Sequence, residues 1–188
     1  MKMERIKNAT MEIMAESGYD GMSIAAISQK AGVSSGYLYL HYSGKEELIL
    51  DIIESNFYVL KDRILYGINA QVQTVYEYVY NIIDNFFELA NSDPILAKFI
   101  TKLVWEKNPP TKAQEQQKKE MHEIAETILF LGRKTGELDP QTTYKEIELV
   151  FFTLPFRYIE LEFEENKNKK FTKEEVKRLT EICMKATR

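Results

Sequence analysis

Residues 23–48 read SIAAISQKAGVSSGYLYLHYSGKEEL, a pattern of two short helices, a tight turn between them, and the start of a third helix that carries a lysine. Ser23 stands at an N-cap position, with Ile24, Ile27 and Ala31 at helical spacing behind it. Gly32 follows the last apolar position, where a left-handed residue ends a helix. Ser34 can cap the second helix, and Val33 before it can staple onto Leu38 four positions inside. That second helix gathers Ser35, Tyr37 and His41 on one side. A helix-turn-helix with such a face can lay it in the major groove of DNA.

Upstream, a helix over about Met3–Ser17 places Ile6, Ala9, Thr10, Ile13 and Met14 on one face, and Gly18 ends it. Downstream, Ser43-Gly44-Lys45-Glu46 spells a capping box for a fourth helix. Its apolar positions Leu48, Ile52, Ile53, Phe57, Leu60 and Ile64 keep the helical period past residue 60, with no Gly/Pro-rich linker. A helix near Val72–Ala90 follows, then one opening at Asp93-Pro94 and a break at Asn108-Pro109-Pro110. Thr111-x-x-Gln114 can cap a long helix to about Thr135-Gly136, and Asp139-Pro140 breaks the chain again. Thr143-x-x-Glu146 and Thr172-x-x-Glu175 are further capping boxes, the second with Phe171 stapled to Val176. The expectation is an all-α chain of about nine helices. It divides into a three-helix head, residues 1–47, and a helical body, residues 48–188.

The overall charge of −4 and pI near 5.4 suit a DNA binder only once divided along the chain. Residues 1–45 sum to +1, which leaves −5 for the rest, so the acid lies in the body. No apolar run approaches a membrane span and no signal pattern precedes the first helix, so a soluble, cytoplasmic protein is expected. Cys183 is the one cysteine and sits among apolar positions, which predicts a buried, inert thiol. The two histidines and this cysteine show no metal spacing, and no cofactor is expected.

The head resembles that of the tetracycline-repressor (TetR-like) family of bacterial regulators. The matching residues include Arg5, Ile6, Ala9, Met14 and Gly18-Tyr19, then Ala31-Gly32-Val33-Ser34, Gly36, Leu38-Tyr39, His41-Tyr42 and Lys45-Glu46. The resemblance implies phosphate contacts from Ser23, Tyr39, His41 and Lys45, and base-facing positions at Ser35, Gly36, Tyr37 and Leu40; Ser34 completes the DNA-binding set. Leu38 is expected in the core, and Tyr42 as a packing residue. Ala25 stands where relatives often carry a basic residue, and Ser35 where lysine or glutamine is common. The resemblance also implies an operator on double-stranded DNA, a small-molecule effector, and a homodimer through the last two helices.

Aromatic residues crowd the body, and most of them read as core. The alternative is a lipophilic pocket, for which Phe86, Phe99, Trp105, Phe130 and Phe152 are the candidates. Asp84, Asn85 and Glu88 interrupt an apolar helix and read as a solvated face or as polar pocket groups. Tyr144–Phe163 is apolar all round, so one face can serve the core and another a partner. Phe151, Leu154, Tyr158, Leu179 and Ile182 are the candidate dimer contacts. Pro155 should kink that helix. An enzyme is not expected: no catalytic triad, phosphate loop or metal motif is present, and His122 lies in a charged run. The favoured reading is a repressor released by a lipophilic ligand; the alternatives are an activator and a helical protein-binding adaptor.

Overall fold

The computed structural model describes residues 2–65, 73–104 and 111–187. Tyr66, Trp105 and the expected break at 108–110 lie outside the described residues, as do the side chains of Phe57, Leu60, Ile64, Thr111 and Gln114. The order is α1 (Lys2–Ser17), α2 (Ile24–Ala31), α3 (Ser35–Tyr39), α4 (Lys45–Leu65), α5 (Val75–Ser92), α6 (Pro94–Val104) and α7 (Thr111–Thr135). Then α8 (Tyr144–Glu148) runs through a π-helical turn (Leu149–Thr153) into α9 (Leu154–Glu165), and α10 (Lys173–Ala186) closes the chain. With α8, the π turn and α9 taken as one rod, the described residues hold nine helices and no strand.

Local chemistry sets the boundaries. Gly18 and Gly32 end α1 and α2 at φ 69° and 64°. At Gly32 the chain turns with two backbone bonds, Gly32 N–H to Gln29 and Val33 N–H to Ser28, so the carbonyls left open at the helix end are paired. Asp93 caps α6 by accepting from Leu96 N–H at 3.0 Å, and the capping boxes at Thr143/Glu146 and Thr172/Glu175 both close. The capping box expected from Ser43 to Glu46 is replaced by a one-way contact to Glu47. The Glu47 carboxylate accepts from both the amide and the hydroxyl of Ser43, because the helix begins at Lys45 and its third residue is Glu47.

One apolar core runs through the molecule. Ile6 and Met14 of α1, Ile27 of α2, Leu38 of α3 and Leu48, Ile49 and Ile52 of α4 are fully buried. α5 is the central post of the body: nine of its residues are buried, and it packs against α4, α6, α7, α9 and α10. α1 lies along α6, so the first helix is tied to the body directly as well as through α4. Asp84 and Glu88 meet Lys173 at 2.6 and 3.0 Å, which assigns them to an α5–α10 tie.

The kink expected at Pro155 is a change of helical register. The Leu154 amide reaches back five residues to Leu149, and Pro155 has no amide to give. Val150 O therefore lacks both its four-back and its five-back donor. The Cys183 thiol donates to it at 3.2 Å. Cys183 is fully buried, and burial raises its pKa to about 12, so its role is to satisfy a carbonyl rather than to react.

Candidate nucleic-acid interface

The candidate recognition face is built from the outer side of α3 and the start of α1. Leu38 points inward with no exposed surface, and half-buried Val33 packs on the same core. The rotation of α3 that buries Leu38 leaves Tyr39 60% and Leu40 81% exposed, with His41 and Gly36 also exposed. Two adjacent large apolar side chains held at such exposure have no partner within the protomer. Tyr37 is half-buried; its ring lies 4.9 Å from that of His41, and the Lys2 ammonium sits 5.0 Å from the ring centre. A Cβ on Gly36 would meet nothing nearer than Ser34 Oγ at 4.0 Å, so no contact within the protomer requires glycine there.

Ser23 and Ser34 are both caps. Ser23 Oγ accepts from Ala26 N–H at 3.1 Å, and Ser34 Oγ accepts from Tyr37 N–H at 3.2 Å. Each hydroxyl keeps its own proton to donate outward. Ser35 is half-buried beside them.

Lys45, expected at a phosphate, also has partners inside the head. Its ammonium donates to Tyr19 O at 2.8 Å and Met22 O at 3.1 Å, and it lies 4.1 Å from the Tyr19 ring centre. The lysine clamps the turn between α1 and α2, which spends two of its three donors inside the head.

Other head cations are engaged too. Lys30 pairs with Glu12 at 3.0 Å and Glu16 at 3.4 Å; Lys7 pairs with Asp51 at 2.9 Å and donates to Ser55. Tyr42, buried as expected, donates to Asp51 at 2.5 Å. Burial pushes the Asp51 carboxyl up, but the bonds from Tyr42 and Lys7 outweigh it and hold it below its ordinary value. Among the described residues, Lys2, Arg5 and Lys45 are the head cations without a carboxylate partner, and of these Lys45 is held by two carbonyls. Lys2 stands over Tyr37, and Arg5 lies beside the Gly32 turn. The sequence reading did not consider either as a candidate contact. Setting each head cation against the carboxylates within helical reach of it could have found them.

The body candidates separate by burial. Phe86, Phe99 and Phe152 are buried in the core, with Phe86 edge-on to Phe156 at 4.3 Å. Phe130 is 66% exposed on α7 and lines no interior site, because its neighbours one turn away, Glu126, Arg133 and Lys134, form the outer face of that helix. Of the dimer candidates, Phe151 and Leu179 belong to the protomer's own core, where α10 packs on α5 and the π turn. Leu154 is half-buried, as is Tyr158, whose hydroxyl donates to Glu175 at 3.1 Å within the protomer. Ile182 is exposed, and so is Leu149, which the sequence reading did not single out for the interface. His122 is exposed, 3.2 Å from Glu126, with its ring tilted against that of Tyr144 at 4.7 Å. Among the described residues no His/Cys/Asp/Glu group could hold a metal ion, and no helix is long and apolar enough to cross a membrane.

An all-helical chain that displays a helix-turn-helix with an uncovered second helix has the form of a DNA-binding head on a helical body. Residues 6–52 match the family model for bacterial regulatory proteins, tetR family. The head of the chain is thus similar to that of the tetR family of bacterial regulatory proteins.

Among curated proteins it is 28% identical over 95 residues to the icaADBC biofilm operon negative transcriptional regulator of Staphylococcus epidermidis; the match covers 47% of this chain and 51% of that protein. It is 28% identical over 96 residues to the fatty acid metabolism regulator protein of Bacillus subtilis, covering 51% of this chain and 49% of that one. The chain thus spans about half the length of these curated relatives. Among solved structures, the transcriptional regulator FadR of Bacillus subtilis, in complex with stearoyl-CoA, shares the fold with a TM-score of 0.75. The two are 20% identical over 98% of this chain and 99% of that one.

Proposed function

We propose that the protein is a DNA-binding transcriptional regulator that acts as a homodimer and is released from its operator by a lipophilic ligand. The observation that carries the reading is the uncovered pair Tyr39–Leu40 beside Tyr37 and His41, on and just after α3 in a head that matches the tetR family. Residues 1–47 serve as the head and 48–188 as the ligand-binding and dimerisation body. Tyr37, Leu40, Gly36 and Ser35 face base edges; Tyr39, His41, Ser23 and Ser34 lie at phosphate height, joined by Lys2 and Arg5. Lys45 contributes through the turn it holds.

Dimerisation through α8–α9 and α10 is supported by Leu149 and Ile182, exposed on those two rods. Two-fold pairing would set two heads on a pseudo-palindromic site. A long-chain acyl compound is the favoured ligand, because one relative is a fatty acid metabolism regulator and a protein of the same fold holds stearoyl-CoA. Repression is favoured over activation by the negative regulator among the relatives. The protein is placed in the cytoplasm by that role, and no catalytic activity is part of it.

Selection of random duplexes on the immobilised full chain tests the reading. Enrichment of a two-fold symmetric sequence, its half-sites about one helical turn apart or a multiple of that, is expected. Failure to enrich any sequence over several rounds would contradict it.

A further inference from the structure

A cleft of about 430 Å³ opens where α1 meets α6 and the end of α9. Glu12, Ala15 and Glu16 of α1 form one wall; Ile95, Lys98, Thr101 and Lys102 of α6 form another. Glu160, Phe163 and Glu164 of α9, with Lys167 just beyond it, complete the rim. The volume lies within the usual range for small-molecule sites, about 300–1,000 Å³. The cleft is distinct from the body interior to which the acyl ligand is assigned, and it touches the head and the body at once.

The charges around it are unevenly satisfied. Glu12 and Glu16 are both taken by Lys30. Glu160 is held by Arg157 and by Lys102 at 3.6 Å, and Glu164 lies 3.7 Å from Arg157. Lys98 and Lys167 have no carboxylate partner among the described residues. The Lys98 ammonium donates to Lys167 O at 3.4 Å and lies 4.5 Å from the Phe163 ring centre. Both cations line the same cleft, Lys98 reaching the Lys167 backbone, together with the apolar Phe163, Ile95 and Ala15.

We propose that this cleft binds a small amphipathic anion, its charged group between Lys98 and Lys167 and its apolar part on Phe163, Ile95 and Ala15. Burial, and after it the charge of Lys167, lowers the pKa of Lys98, which is the strain that a bound anion relieves. Phosphate and carboxylate are the two chemistries that satisfy a lysine pair. Because α1 is one wall, an occupant that bridges the cleft sets the angle of the head on the body.

Calorimetric titration of the full chain, without DNA, separates this site from the regulator reading. The probes are hexyl phosphate and hexanoate, with hexanol and inorganic phosphate as controls. At least one amphipathic anion should bind, at least tenfold tighter than hexanol and inorganic phosphate. Lys98→Gln and Lys167→Gln should each weaken it at least tenfold, with Lys98→Arg largely restoring it. Lys167 is exposed, so its variant stays folded even if Lys98→Gln lowers the melting temperature. Absence of binding by both anions at millimolar concentration, hexanol binding as tightly, or unchanged binding in Lys167→Gln would each overturn the proposal. None of these results depends on whether the head binds DNA.

Discussion

The Lys45 ammonium lies 2.8 Å from the carbonyl of Tyr19, a residue 26 positions away in sequence, and 3.1 Å from that of Met22. This clamp holds the turn that sets α2 and α3 against α1. A charged donor to two carbonyls contributes about 1–2 kcal/mol in a half-exposed setting. Lys45→Ala should therefore lower the melting temperature by a few degrees. It should also weaken cognate and random DNA alike, while the salt slope changes by clearly less than 1. A slope change of about 1 with an unaltered melting temperature would return Lys45 to the phosphate contacts.

The Cys183–Val150 bond makes a second expectation. Cys183→Ala leaves a buried carbonyl without a donor, at a cost of about 1–3 kcal/mol. Cys183→Ser keeps a donor and should recover most of that stability. With its pKa raised to about 12 by burial, the native thiol should resist alkylation at pH 8 until the chain unfolds. Rapid labelling of native protein, or an alanine variant as stable as wild type, would refute the role.

Acid should loosen the junction of α1 and α4. Burial, the largest single effect, pushes Asp51 up, but Tyr42 and Lys7 together outweigh it and hold the carboxyl below its ordinary 3.8. A carboxyl whose folded pKa is depressed stabilises the fold fully above its unfolded value, and loses that contribution as pH falls through the folded one. Asp51→Asn should thus be less stable than wild type at neutral pH. The gap between the two should narrow as pH drops below 3.8. Melting curves from neutral pH downward check this, and a gap constant with pH would contradict it. The carboxylate is 40% exposed, which keeps the effect small.

Charge placed on α10 should act differently at two positions three residues apart. Leu179→Glu buries a charge in the protomer's core and should unfold the chain. Ile182 is 44% exposed, so Ile182→Glu should leave a folded protein that no longer pairs. Sedimentation velocity with circular dichroism distinguishes the outcomes. A folded Ile182→Glu variant with unchanged mass would exclude that face as the interface.

The sequence made visible whatever is settled within one turn of helix. The caps at Ser23, Ser34, Asp93, Thr143 and Thr172, and the stops at Gly18 and Gly32, need only a side chain and the backbone a few residues on. Glu47 in place of Glu46 as the partner of Ser43 marks the limit of that reading, since a one-residue shift of the helix start changes the partner. The clamp made by Lys45 was not legible because its partners lie across a turn. Pro155 predicted a break in the backbone pattern, but the π register and the thiol that completes it depend on α10 packing alongside. Phe130 and Leu179 were assigned to pocket and interface from apolarity alone; the packing of α7 and α10 decides which way each one faces.

The central claim is that the uncovered face of α3 reads DNA. Tyr39→Ala and Leu40→Ala remove side chains that are 60% and 81% exposed and support no core, so neither should move the melting temperature appreciably. Fluorescence anisotropy on a selected cognate duplex, with a random duplex alongside, measures what they do to binding. Leu40→Ala should cost about 1–3 kcal/mol on the cognate duplex and little on the random one, while Tyr39→Ala should weaken both. Wild-type affinity for both duplexes in the doubly substituted protein, with the fold intact, would contradict the account.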